Sequence, residues 1–309
     1  MIELRSLRKE YDDLVAVYDL NLKVPEGEIY GLIGPNGAGK TTTIRMACGL
    51  LAPTLGQALV AGTDVNREPE VAQQNIGYLS DFFGAYEDLK VWEYLDYFAH
   101  AYKLPEGDIP RRVEEVIAQV GLEVKRESLI AGLSRGMKQR LGIGRAIIHR
   151  PKVLLLDEPA SGLDPKSRLE LRKLLLGLRE QGATILISSH ILTELEGLCT
   201  SIGIMERGHL VCSGRIEEVT AAEYSTNLMK LGWTGAAQAA ANKVLEGSPR
   251  VSDILLAEGG GTFRFGGSED QLAELLVSLI AGGVRVSSFA EVRHTVEDIY
   301  MKVSTHEVT

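Results

Sequence analysis

Lys40 and Thr41 stand at the end of a glycine-rich turn, Gly34-Pro35-Asn36-Gly37-Ala38-Gly39-Lys40-Thr41-Thr42, with the spacing G-x-x-x-x-G-K-T. Glycines let a backbone approach oxygen anions closely and turn successive N–H groups into one concavity. A helix that starts at such a turn adds partial positive charge at the same point. Lys40 supplies a full positive charge for the β- and γ-phosphates of a nucleotide, and the Thr41 hydroxyl is a hard oxygen ligand suited to Mg²⁺. The pattern carries this meaning only between a strand and a helix. Residues 28–33 read as a short buried strand and residues 41–50 as a helix, so the context is present.

A second group of reactive residues follows the apolar run at residues 152–156. Asp157 and Glu158 end that run, before Pro159. Beside a phosphate-binding loop, this position puts two carboxylates at the C-terminal edge of a parallel sheet. Asp157 would hold Mg²⁺, directly or through water, and Glu158 would orient and polarise an attacking water as a base. Leu133-Ser134-Arg135-Gly136-Met137-Lys138-Gln139 offers a further anion site. Ser134 is a good N-cap, and its hydroxyl, Gly136 and the free N–H groups of the first turn would face an anion. Met137, Leu141, Gly144 and Ile148 share one helical face, and Lys138, Arg140, Arg145 and Arg150 read as a solvated basic face.

The elements that must position these residues separate into three regions. Up to about residue 80 the chain is rich in short strands, at residues 2–7, 14–17, 20–24 and 29–33, with a turn at Pro25-Glu26-Gly27-Glu28. Residues 81–149 carry apolar positions at helical spacing. Strand signals return at residues 152–156 and 184–188, and residues 202–211 read as an antiparallel hairpin around Gly208. Asp164 caps a helix with Pro165 in its first turn, running to about Gln181. Helix and strand signals restart near residue 223 and suggest a small α+β domain to residue 309, with strands at 251–257 and 262–265 and helices at 236–245 and 271–280.

Composition bounds the function. The 309 residues suffice for about two domains. The formal net charge of −9 weighs against a large nucleic-acid footprint, and no nucleic-acid partner is expected. Cys48, Cys199 and Cys212 lack C-x-x-C spacing and read as packed thiols of a reducing compartment. No apolar run approaches the roughly 18 residues that span a bilayer, so a membrane role must come through a partner.

The joint order of these motifs is specific. The phosphate loop, L-S-x-G-x-x-Q, the strand ending in D-E-P, Ser161-Gly162-Leu163-Asp164 and Ser188-Ser189-His190 together resemble the ATP-binding subunit of ABC transporters, over about residues 1–218. The resemblance implies an α/β P-loop NTPase core of the ABC type over residues 1–222. That core would have an antiparallel β subdomain and a helical subdomain at about 82–150, with a small C-terminal α+β domain at 223–309. It implies ATP and Mg²⁺ as cofactors and a head-to-tail dimer, of two copies or of related chains, with ATP sandwiched between subunits. Ser134, Gly136 and Gln139 of one subunit would meet the γ-phosphate held by the other, with Asp164 at the same interface. His190 would contact the γ-phosphate and support the water held by Glu158, and Tyr11 is similar to the aromatic that stacks on adenine. The partner would be an integral membrane permease, with the ATPase at the cytoplasmic face of the membrane.

Two positions depart from the family pattern. Arg135 replaces the first glycine of the signature pair, and Asp81, after Ile76-Gly77-Tyr78-Leu79-Ser80, stands where a glutamine that senses Mg²⁺ and the γ-phosphate is expected. Asp81 is thus a candidate for both nucleotide and metal contact. The late segment Val296-Glu297-Asp298-Ile299-Tyr300 resembles the ending of drug-exporter-type ATPases and favours export. The alternatives are a soluble ABC-type ATPase acting on ribosomes or DNA and a regulatory ATPase module without transport. Against the first stands the single P-loop without a coiled-coil insertion; against the second, the intact Glu158 and His190.

Overall fold

The computed structural model describes residues 1–81, 84, 86–191, 194–195, 197–216, 218–219 and 227–292. The chain divides into two compact units, Met1–Ile216 and Glu217–Thr309. The expected boundary at 222/223 and the segment 296–300 lie outside the described residues.

In the first unit β1 (Ile2–Tyr11) and β2 (Leu14–Val24) pair antiparallel, and β4 (Leu55–Val60) and β5 (Thr63–Asp64) extend them into a sheet ordered β2-β1-β4-β5. β2 is one strand where the sequence suggests two. It passes through Asp19 at φ +40, and the register to β1 shifts there by one residue, a bulge that an aspartate tolerates. The second sheet is ordered β10-β9-β3-β8-β7-β6. β3 (Ile29–Ile33), β6 (Ile76–Leu79), β7 (Val153–Leu156), β8 (Thr184–Ser189) and β9 (Ser201–Glu206) run parallel, and β10 (His209–Arg215) returns antiparallel. Every residue of β3, β7 and β8 is buried, as expected where helices and a second sheet cover both faces. The parallel strands therefore end together, and their C-terminal edge carries the phosphate loop, Asp81, Asp157, Glu158 and His190.

Helices α1 (Lys40–Ala47) and α2 (Pro69–Gln74) belong to this core. Between β6 and β7 lie α3 (Val91–Ala101), α4 (Ile109–Gln119) and α5 (Arg135–Ile147), and α6 (Pro165–Glu180) follows β7. Of the basic face expected here, Arg140 and Arg145 are drawn into protein contacts, while Arg150, past the end of α5, stays exposed. Arg140 donates to the carbonyls of Val120 and Gly121 at the end of α4 and pairs with Glu170 at 3.2 Å. Arg112 of α4 does the same for the end of α5, donating to the Ile147 and Ile148 carbonyls. Each helix thus supplies the cation for the other's unpaired C-terminal carbonyls. Arg145 donates to the Tyr78 carbonyl and lies over the Phe98 ring. Lys138 and Arg150 pair with Glu87 and Glu115.

The second unit holds an antiparallel sheet ordered β12-β13-β11-β14, from β11 (Asn227–Trp233), β12 (Val251–Ala257), β13 (Gly260–Phe265) and β14 (Val286–Glu291). In β11 Met229, Leu231 and Trp233 alternate inward and pack with Ala241 and Leu245 of α7 (Gln238–Glu246) and Leu275 and Leu279 of α8 (Glu269–Ala281). Ser268 and Gln271 form a reciprocal capping box at the start of α8.

Candidate functional site

The phosphate loop joins β3 to α1 and tolerates no side chain at two of its glycines. A Cβ on Gly34 would stand 2.2 Å from the Met205 carbonyl oxygen, and Gly39 sits at φ +100 with a Cβ position 2.6 Å from the Ala16 carbonyl oxygen. Gly39 caps α1 without a side-chain hydrogen bond, so the first N–H groups of the helix stay available to a ligand. Lys40, only 5% exposed, arches back over the loop. Its ammonium donates to the carbonyls of Gly34 at 2.7 Å and Pro35 at 3.1 Å and lies 3.3 Å from a Glu158 carboxylate oxygen.

The carboxylates are held by the neighbouring strand ends. Asp157 Oδ1 accepts from Ser188 Oγ at 2.7 Å and Thr41 Oγ at 3.1 Å. Ser188 Oγ also accepts from the Glu158 N–H at 2.9 Å, which fixes Glu158 at φ +48, a conformation rare for a residue with a side chain. Glu158 Oε2 lies 2.7 Å from His190 Nδ1. A carboxylate can only accept, so Nδ1 carries the proton in this contact. Positive charge from Lys40 on one oxygen and an N–H from His190 on the other fix the orientation that a general base needs.

Burial pushes the Asp157 carboxyl above its ordinary range, against the lowering effect of the Ser188 and Thr41 hydrogen bonds, and the charges of Glu158 and Asp81 push it further the same way. A carboxyl raised in the fold is one whose ionised form the fold disfavours. Asp157 therefore costs stability above its folded pKa, and that cost fades as pH falls through it. Asp157→Asn keeps an oxygen for both hydroxyls and removes the charge. It is expected to melt a few degrees higher than wild type near neutral pH, with the gap closing on acidification; no gap at neutral pH would contradict the burial cost.

Tyr11, Tyr18, Ala16, residues 36–42, Asp81, Glu158 and Arg207 line one cleft. Tyr18 stacks on His209 at 4.2 Å with Arg8 also over its ring, whereas Tyr11 is 44% exposed with Lys9 near one side. Of the two tyrosines, Tyr11 has the freer ring face. Asp81 is exposed at the end of β6, within electrostatic reach of Asp157.

Ser134, Gly136, Gln139 and Asp164 do not line this cleft. Ser134 caps α5 by accepting from the Met137 N–H, and Asp164 caps α6 by accepting from the Ser167 N–H and hydroxyl. The Ser167 hydroxyl bond holds the Asp164 carboxyl below the ordinary range. A Cβ on Gly136 would stand 2.3 Å from Ser167 Oγ, so the starts of α5 and α6 touch through a glycine. The Arg135 guanidinium covers Gly162 in the same loop. Half-buried Gln139 sits farther along α5.

Residues 17–161 match the family described as ABC transporter. The bacitracin transport ATP-binding protein BcrA of Enterococcus faecalis is 35% identical over 305 residues, 98% of this chain and 96% of that one. The chain belongs to the ATP-binding subunits of ABC transporters. As such it is an ATP-binding protein and an ATPase, on the α/β P-loop core that the motif order implied. The linearmycin resistance ATP-binding protein LnrL of Bacillus subtilis is 36% identical over 214 residues, 69% of each chain. A solved ATP-binding subunit of an ABC transporter is 32% identical with a TM-score of 0.65, covering 72% of this chain and 93% of that one. The cbiO1 protein of Clostridium perfringens, part of the ABC transporter complex cbiONQ, is 29% identical with a TM-score of 0.64, covering 72% of this chain and 91% of that one.

Two residues near this site had no role of their own legible in the sequence. Ser188, fully buried, bonds both Asp157 and the Glu158 backbone. A hydroxyl at the end of an otherwise apolar strand, one residue before Ser189-His190, was the available signal. Arg207 lies in the cleft from a hairpin turn distant in sequence from every motif.

Proposed function

We propose that this subunit hydrolyses ATP between two subunits to drive export through a separate integral membrane permease at the cytoplasmic face of the membrane. The observation that carries the two-subunit reading is the separation of the anion-binding groups. Lys40 and Glu158 line one cleft with His190 bonded to Glu158, whereas Ser134, Gly136 and Asp164 do not line it, Gly136 and Asp164 both lying against Ser167. A second subunit, placed head to tail, would bring the latter set, with Gln139, to the γ-phosphate.

Within the cleft, Tyr11 would stack on adenine. The loop Gly34, Pro35, Asn36, Gly37, Ala38, Gly39, Lys40, Thr41 and Thr42 would cradle the phosphates. The donor set suits Mg²⁺: Thr41, Asp157 and Asp81 offer hard oxygens, and Mg²⁺ takes one or two carboxylates with phosphate and water filling the rest. Among the described residues no cluster of three or more His, Cys, Asp or Glu could hold a metal ion alone, which suits an ion that arrives with the nucleotide. When bound, it would neutralise charge developing on the phosphates. Glu158 would take a proton from the attacking water while His190 holds its other oxygen and presents Nε2 to the γ-phosphate.

Export is supported by relatives named for bacitracin transport and linearmycin resistance. Among the described residues no helix is long and apolar enough to cross a membrane, in keeping with a separate permease. Affinity capture from detergent-solubilised native membranes tests the reading. A polytopic membrane protein should co-elute in stoichiometric amount; recovery of ribosomes or DNA in its place would overturn it.

A further inference from the structure

Arg207 occupies a position that the local backbone disfavours. His209 pairs with Glu206 across the β9–β10 hairpin, so the connecting loop is Arg207-Gly208, with φ +47 and +86. Two-residue turns with both φ values positive favour Asn-Gly or Asp-Gly, because a longer side chain is crowded there. The turn is also fastened to the nucleotide site. The Gly208 N–H donates to the Ala38 carbonyl of the phosphate loop at 3.1 Å, and the Tyr18 N–H donates to the Gly208 carbonyl at 2.8 Å. Arg207 thereby lines the cleft between the tyrosines and the phosphate loop.

The guanidinium has no hydrogen-bond or ion-pair partner among the described residues, whereas Arg8, Arg112 and Arg140 are all paired. The cleft's other cation, the buried Lys40, is already engaged by two carbonyls and Glu158. The exposed guanidinium, with no protein partner and lining the cleft beside an anion-binding loop, is placed to meet a ligand there. We propose that Arg207 is a nucleotide-binding residue that contacts the phosphates at their adenosine end. It would form charge-assisted hydrogen bonds there while Lys40 serves the β- and γ-phosphates. The proposal rests on the reading of this cleft as the ATP site.

Arg207→Asn separates binding from folding, since asparagine suits the turn better than arginine does. Calorimetric titration should show ATP and ADP affinity both reduced about tenfold, because both ligands share the phosphate concerned. The nucleotide-free variant should melt at or above the wild-type temperature, and Arg207→Lys should recover part of the affinity. Affinities within about twofold of wild type, or a melting temperature that falls together with affinity, would overturn the proposal. Lys40→Ala serves as the control. If it weakens ATP binding while Arg207→Asn does not, the inference about Arg207 fails alone; if neither variant weakens binding, the reading of the cleft fails with it.

Discussion

Glu158→Gln is expected to bind ATP nearly as tightly as wild type and to turn over at least about a hundredfold more slowly. The substitution keeps the side-chain length and an oxygen that can accept from His190 Nδ1. The backbone that aims the side chain is untouched, because the Glu158 N–H donates to Ser188 Oγ and the φ of +48 is fixed by that bond and the strand end. What is lost is the charge. An amide does not accept a proton from water, and it answers Lys40, 3.3 Å away, with a dipole in place of a full negative charge. Phosphate binding should not suffer, since the variant removes a negative group from the cleft. With binding intact and hydrolysis slow, the ATP-bound dimer should accumulate. Steady-state turnover with Mg²⁺, together with gel filtration in the presence of ATP, checks both halves. A variant that stays monomeric with ATP and turns over at the wild-type rate would remove Glu158 from the role of base.

The same residues show what a sequence can and cannot disclose. The phosphate loop was legible because its glycines are demanded by backbone approach: Gly34 against Met205 and Gly39 against Ala16 leave no space for a Cβ. The strands β7 and β8 were legible because burial on both faces leaves a continuous apolar run. β2 appeared broken because polar Asp19 interrupts its alternation, yet a bulge carries the pairing past it. Arg140 and Arg145 have the composition of a wet helix face, and nothing local marks them as partners for carbonyls at the ends of α4 and β6. Their environment is made by elements 20 and 67 residues away in sequence. Ser188 and Arg207 had no legible role of their own for the same reason, since each has its role only after the strands bring Asp157 or Ala38 alongside. Motifs thus report contacts made within a turn or between a strand and the next helix. Contacts assembled across the sheet stay silent until the order of its strands is known.

Lys40→Ala is expected to weaken ATP binding by roughly a hundredfold, the upper range for one charge-assisted contact. Two effects add in this site. The variant loses the ammonium that would bind the β- and γ-phosphates. It also leaves Asp157 and Glu158, adjacent carboxylates at the end of β7, without the cation that stands 3.3 Å from Glu158. The field in the cleft then turns negative where a polyanion must enter. Part of the loss is offset, because the Lys40 ammonium must give up contacts with Gly34 and Pro35 carbonyls when it turns to phosphate. Lys40→Arg should restore only a fraction of the affinity. The planar guanidinium fork is bulkier than an ammonium and does not fit the point between two loop carbonyls and Glu158 that Lys40 fills at 5% exposure. Calorimetric titration of ATP checks the affinities, and thermal melting separates them from unfolding. A melting temperature near that of wild type with weakened binding assigns the loss to the phosphate contact. An ATP affinity within about twofold of wild type in Lys40→Ala would mean that the loop N–H groups bind the phosphates unaided, and the electrostatic account of this cleft would fall.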